Sequence, residues 1–259
     1  MRVVPDFRVI EETEDWVVID KPAPLIVHPA NGKFDEPSVL GGLERLLAYE
    51  VVNGARLSIL TRLDRETSGL VLVAKRREVA REFGAALAGR TAHKEYLAVV
   101  RGWPEWDERC LDAPLRRLGE VAESPVWLRQ AVATGGRECV TRFRVSRRIQ
   151  RADGRFALVR CFPESGRTHQ IRAHLEHLGH ALAGDKIYGG DGTAYLEFIA
   201  SGWSERLASR LELPRHALHA LRLEVPWDGR RVGWEAPMAA DLAEFLAGGR
   251  ELVSGPGRA

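Results

Sequence analysis

Arg62-Leu63-Asp64-Arg65-Glu66-Thr67-Ser68-Gly69-Leu70-Val71-Leu72-Val73-Ala74-Lys75 joins a charged loop to an apolar run. Gly69 opens and Lys75 closes a short, β-branched stretch that reads as a buried strand. Asp64 then lies in the loop entering that strand, with an arginine on either side at 62 and 65. Opposite charge close by favours the ionised carboxylate, which makes Asp64 a candidate nucleophile near neutral pH. Ordinary surface Arg-Asp pairing is the other reading of the same residues.

Outward from this loop, β-branched and aromatic residues predict strands over 16–20, 69–74, 95–101, 139–145, 156–162 and 218–225. Apolar spacings of three and four predict helices over 38–49, 79–88, 168–177, 194–207 and 239–246. Strands and helices do not alternate regularly, so the expected fold class is α+β, with a mostly antiparallel sheet. One domain is expected over 1–250, followed by a frayed tail over 251–259.

Composition narrows the function. The three cysteines, Cys110, Cys139 and Cys161, have no C-x-x-C spacing and read as reduced thiols of a cytoplasmic protein. No run approaches the ~18 apolar residues of a membrane span, so a soluble protein is expected. The 38 basic residues comprise 33 arginines and five lysines at a net charge of +2. Arginine offers a flat fork for phosphates and a plane for bases, although an arginine-rich codon usage produces the same count. Seven arginines fall between Arg129 and Arg151 with only Glu138 as counter-charge. Strand alternation puts Arg142 and Arg144 on one face, a track for a phosphate backbone, and Thr141, Phe143 and Val145 on the other. His169, His174, His177 and His180 superficially resemble a metal set. His180 follows a helix-stopping Gly179 and no cysteine is near, so no metal is expected.

The loop resembles the signature His-Arg-Leu-Asp-Arg-x-Thr-Ser-Gly of the RluA family of RNA pseudouridine synthases, with Thr61 at its first position. Three more stretches match the family in order. Asp20-Lys21-Pro22-Ala23-Pro24-Leu25-Ile26-Val27-His28-Pro29 resembles its first motif, with Pro24 where glycine is usual. Lys94-Glu95-Tyr96-Leu97-Ala98-Val99-Val100-Arg101-Gly102 resembles the strand bearing its active-site tyrosine. Gly166-Arg167-Thr168-His169-Gln170-Ile171-Arg172-Ala173-His174-Leu175 resembles its third motif, which continues through Gly184-Asp185-Lys186-Ile187-Tyr188-Gly189, with Ala181 in place of a common proline. Four ordered motifs carry the resemblance from about residue 10 to about residue 237.

The resemblance implies an extended mixed sheet with the site in a cleft across it. It also implies isomerisation of a specific uridine in structured rRNA or tRNA to pseudouridine, without cofactor or metal. Asp64 is then the nucleophile, Arg167 its charge partner, and Tyr96 the ring that stacks on the base. Arg62 enters the RNA where the uridine leaves, and Arg65, Lys21, His28, His169, Arg172 and Ile171 are expected around the RNA. Thr168 is the expected N-cap of the third-motif helix. Many family members carry a small S4-type domain ahead of the catalytic part. Here the first motif begins near residue 20, so recognition is expected to rest on the catalytic domain of a monomer. The rivals are an RNA-binding assembly factor without activity, whose nucleophile would be replaced, and a hydrolase, which wants two carboxylates about a sugar where only Glu66 is near.

Overall fold

The computed structural model describes residues 6–29 and 36–252. The first elements are β1 (Arg8–Glu12), β2 (Trp16–Lys21), α1 (Val39–Leu46), α2 (Ala48–Val52), β3 (Ser58–Ile59), β4 (Ser68–Ala74) and α3 (Arg77–Ala88). Next come β5 (His93–Arg101), β6 (Glu108–Asp112), β7 (Leu115–Arg117), β8 (Gln130–Val132), β9 (Val140–Arg151) and β10 (Gly154–Pro163). The chain continues with α4 (Gln170–His177), α5 (Thr193–Ser201), α6 (Glu205–Arg210), β11 (Leu218–Trp227), β12 (Arg230–Glu235), α7 (Ala240–Ala247) and β13 (Arg250–Leu252). The class is α+β, with mixed, mostly antiparallel pairing. Two compact units form, one from residues up to Lys94 with His219–Ala239, the other from Glu95–Leu218 with residues from Ala240 onward.

In the first unit, β4 pairs antiparallel with β2 and β3 and parallel with β11, while β1 flanks β2 and β12 flanks β11. Every residue of β4 is buried because both faces of its sheet are covered. Val18, Leu70 and Leu72 pack with Val79 and Phe83 of α3 and with Leu223 and Trp234. Val17, Ile19, Val71 and Val73 pack with Val39 and Leu43 of α1 and with Leu25. A strand buried on both faces reads as a continuous apolar run, which is why 69–74 was legible. Burying each such side chain contributes about 1.5–3 kcal/mol.

In the second unit, β10 lies between β5 and β9, and the other edge of β9 takes β6 along its first half and β13 along its second. A bulge between Leu158 and Val159 accommodates the extra Ser146 opposite. Helix α4 packs Ile171 and Leu175 against Ala98, Val100, Phe143 and Val159. Strands β7 and β8 form a separate two-stranded sheet.

Three expectations need correction. The helix predicted over 194–207 is two, because Gly202 adopts φ +75° and Ser204 starts α6 by accepting the Leu207 N–H at 3.2 Å. The helix predicted over 38–49 breaks at Leu47 into α1 and α2. Of the predicted tail, Glu251 and Leu252 pair with β9 opposite Ile149 and Arg148, and 253–259 lie outside the described residues.

Candidate active site

The loop bearing Asp64 is tied down along its length. Thr61 Oγ1 accepts the Leu72 N–H at 2.9 Å, so the residue standing where the resembled family has histidine moors the loop to β4. The Thr67 N–H closes a turn on the Asp64 carbonyl at 3.1 Å. The Arg65 carbonyl accepts from Leu25 N–H and from Lys21 Nζ, each at 3.1 Å. Ser68 Oγ lies 2.9 Å from His219 Nδ1, both buried. Gly69 holds φ +107° with the Ala220 backbone so close that a Cβ would sit 2.2 Å from its carbonyl oxygen, so only glycine fits. Between these moorings Asp64 is half-buried and Arg62 exposed. Arg65 turns its guanidinium to Glu36.

Lys21, expected among the RNA contacts, is fully buried. Its ammonium donates to the carbonyls of Pro22 at 3.0 Å and Leu25 at 2.8 Å as well as to Arg65, so it braces the loop and offers no surface to RNA. His28 is exposed at the far end of the same segment.

The remaining residues of interest, Lys94 apart, belong to the second unit. Tyr96 is half-buried on β5, opposite Cys161, and packs on the cluster that contains Ile171. Ile171 is thus a core residue that touches the tyrosine's cluster. Burial, followed by the Glu95 charge, pushes the Cys161 thiol up, which leaves it inert. Lys94, two positions before Tyr96, is lowered to about 8 by burial and the Arg90 charge.

Arg167 is exposed in the loop between β10 and α4, and Gln170 pins that loop. Gln170 Oε1 accepts from Ser165 Oγ at 2.7 Å and from the Arg167 N–H at 3.1 Å. Its amide donates to the Val140 carbonyl at 3.0 Å and Thr141 Oγ1 at 2.9 Å. Gln170 lies inside the third motif with no sequence signal of this part, because a buried amide hub leaves no spacing signature. Thr168 is not the N-cap: α4 starts after His169, held at φ +55° without a side-chain cap. His169 Nδ1 lies 3.0 Å from Tyr188 Oη, a second residue that sequence reasoning passed over.

Arg172, expected as a phosphate contact or a structural partner, is 4% exposed and forms a two-pronged pair with Asp185 at 2.8 and 2.9 Å. Burial opposes the Asp185 charge, but the Arg172 cation and its hydrogen bonds win and hold that carboxyl well below the usual range. The pair fixes the Gly184–Gly189 turn, since Asp185 Oδ1 also accepts from Ile187 N–H at 2.9 Å and Tyr188 N–H at 3.1 Å. Arg172 is therefore a structural partner.

Arg142 and Arg144 do share the exposed face of β9, with Thr141 and Phe143 buried opposite. Neighbouring elements supply the counter-charges absent from the segment itself. Arg144 meets Glu108 at 2.7 Å, Arg142 meets Glu164 at 3.8 Å and Arg148 meets Asp107 at 2.8 Å. The stripe is a row of ion pairs, each of small worth in solvent. His174 is fully buried between Thr141 Oγ1 at 2.9 Å and the Ala113 carbonyl at 3.0 Å. Burial lowers its pKa, so it stands neutral. Among the described residues no three metal-ligating side chains converge, and no helix is long and apolar enough to cross a membrane.

A family profile described as RNA pseudouridylate synthase matches residues 15–177. Over 248 residues the chain is 36% identical to a ribosomal large subunit pseudouridine synthase D of Nitrosomonas europaea, covering 95% of this chain and 66% of that protein. It is likewise 36% identical to the protein of that name from Pseudomonas aeruginosa, covering 93% and 71%. Among solved structures, human RNA pseudouridylate synthase domain containing 1 superposes with a TM-score of 0.69 at 22% identity, over 98% of this chain and 92% of that one.

Proposed function

This chain belongs to the RluA family of RNA pseudouridine synthases, and from that premise we propose that it isomerises a uridine of structured RNA to pseudouridine with Asp64 as nucleophile. The observation that carries the assignment is the mooring of the loop. Thr61, Lys21, Ser68 and Gly69 hold its backbone from several sides while the Asp64 side chain stays half-buried. A nucleophile needs this combination of fixed backbone and reachable side chain.

The reaction breaks the N-glycosidic bond, turns the uracil and forms a bond from C5 to C1′. The C5 proton is lost and N1 gains one, so nothing is oxidised or hydrolysed on balance. A carboxylate serves by attacking either C6 of the ring or C1′ of the ribose, and leaves again in either case. Tyr96 and Arg167 take the roles their motifs imply, base stacking and charge pairing with the nucleophile. Arg62 assists the uridine out of its stack, a step costing a few kcal/mol. The names of the relatives favour ribosomal RNA of the large subunit as the substrate class.

The test is incubation with a large-subunit rRNA transcript, scoring pseudouridine against free uracil. Pseudouridine without uracil is the expected product. Uracil release identifies a hydrolase, and binding without change identifies an inactive RNA-binding factor; either outcome overturns the proposal.

A further inference from the structure

The turn that leads into β8 is clamped at both ends and presents two large apolar side chains between the clamps. Val126 is 1% exposed and packs among Leu115, Ala173 and Tyr188. The Arg129 N–H closes the turn on the Val126 carbonyl at 3.1 Å, and the Arg129 guanidinium pairs with Glu176 at 2.8 Å. The next N–H, of Gln130, donates to the buried Tyr188 Oη at 2.9 Å. Trp127 and Leu128, the central residues of the turn, remain 70% and 47% exposed. The Arg117 guanidinium lies over the Trp127 ring, 3.9 Å from its centroid.

A rigid turn that keeps its Val buried and its Trp outside is not repairing a core. Adjacent large apolar groups in water mark a binding surface, and tryptophan dominates such surfaces. Charge selects the occupant: residues 115–137 carry Arg116, Arg117, Arg129 and Arg137 against Glu120 and Glu123, and since Arg116 pairs with Glu120 and Arg129 with Glu176, the positive charge offered to a phosphate is that of Arg117 and Arg137. A flat indole with a guanidinium on it suits the π-face of a base whose phosphate follows the arginines. A paired base hides that face in its stack.

We infer that Trp127, supported by Arg117, is a stacking platform for an unpaired nucleotide of the RNA other than the reacting uridine. The inference rests on the reading that the chain acts on RNA, not on Asp64 being the nucleophile.

The experiment compares wild type, Trp127→Ala and Trp127→Phe by filter binding. One probe is a transcript with a uridine-rich unpaired loop, the other the same stem closed as a continuous duplex. Loss of one stacked base lowers affinity roughly five- to 150-fold. The alanine variant should show that loss on the looped RNA alone, and the phenylalanine variant should recover most of it. Equal affinity of wild type and alanine variant for the looped RNA overturns the inference and leaves a protein-binding face as the alternative. An equal fall on both probes also overturns it, since stacking on unpaired bases spares the duplex. Binding needs no turnover, so Trp127-dependent binding by a protein that makes no pseudouridine would overturn the proposed reaction alone.

Discussion

Lys21 Nζ donates to the Arg65 carbonyl across 3.1 Å, one residue beyond Asp64, from a side chain with no exposed surface. The same ammonium reaches Pro22 and Leu25, so one buried cation organises both the first-motif segment and the Asp64 loop. Lys21→Met keeps most of the volume and removes the donors. Each buried carbonyl left short costs about 1–3 kcal/mol, so a stability loss of at least about 2 kcal/mol is expected, with turnover falling as the loop loosens. Urea denaturation and pseudouridine assay check both parts, and an unchanged midpoint with full turnover would remove Lys21 from this role.

Asp64→Asn keeps the shape of the side chain and removes the proposed nucleophile. Isomerisation should disappear while the melting temperature and RNA affinity stay close to wild type. Measurable pseudouridine from the purified variant at near wild-type rate would move the nucleophile elsewhere.

Arg167→Ala and Gln170→Leu separate the charge proposed to serve the reaction from the scaffold beneath it. Among the described residues the exposed Arg167 guanidinium makes one long bond, from Nε to the Glu138 carbonyl at 3.4 Å, so its removal should have a small effect on stability, while its proposed role predicts crippled turnover. Gln170 holds four bonds in the interior, and its loss should lower stability by about 2 kcal/mol and turnover as well. The pattern is read from melting curves beside initial rates, and it fails if Gln170→Leu melts like wild type.

Thr61→Val deletes the acceptor for the Leu72 N–H at nearly constant size. A cost of about 1 kcal/mol is expected, recovered by Thr61→Ser. Equal denaturation midpoints for the valine and serine variants would show that the hydroxyl does not moor the loop.

His174 supplies a pH dependence whose sign follows from its lowered pKa. Burial disfavours the imidazolium, so the unfolded chain takes up a proton near the ordinary 6.5 before the folded chain does. The stability from neutral His174 is complete above 6.5 and is lost as pH falls below it, at up to about 1.4 kcal/mol per pH unit. His174→Asn should flatten this part of the stability profile between neutral and mildly acid pH. Parallel profiles for variant and wild type would refute the assignment.

Strand β4 and the Asp64 loop were legible because their signals are local: a β-branched run, a glycine before it, and charges at fixed positions. The parts played by Lys21 and Arg172 were not legible for the opposite reason. Both sit in motifs of an RNA-acting family and both are cations, yet each is buried and engaged with partners that sequence spacing does not display: the Arg65 carbonyl for Lys21, Asp185 for Arg172. The break at Gly202 was present as a Gly-Trp-Ser cue, but the apolar spacing continued across it and masked the stop.

By itself the sequence determined the α+β class, the main strands, the order of the motifs and the family they belong to, since these depend on residue type and near spacing. The tertiary structure decided which cations are surface and which are scaffold. It decided that Gln170 carries the Arg167 loop, that Thr61 moors the Asp64 loop, and that Trp127 stands outside its own clamped turn. Burial and hydrogen-bond partners arise from residues far apart in the chain, so they exist only once the fold has brought those residues together.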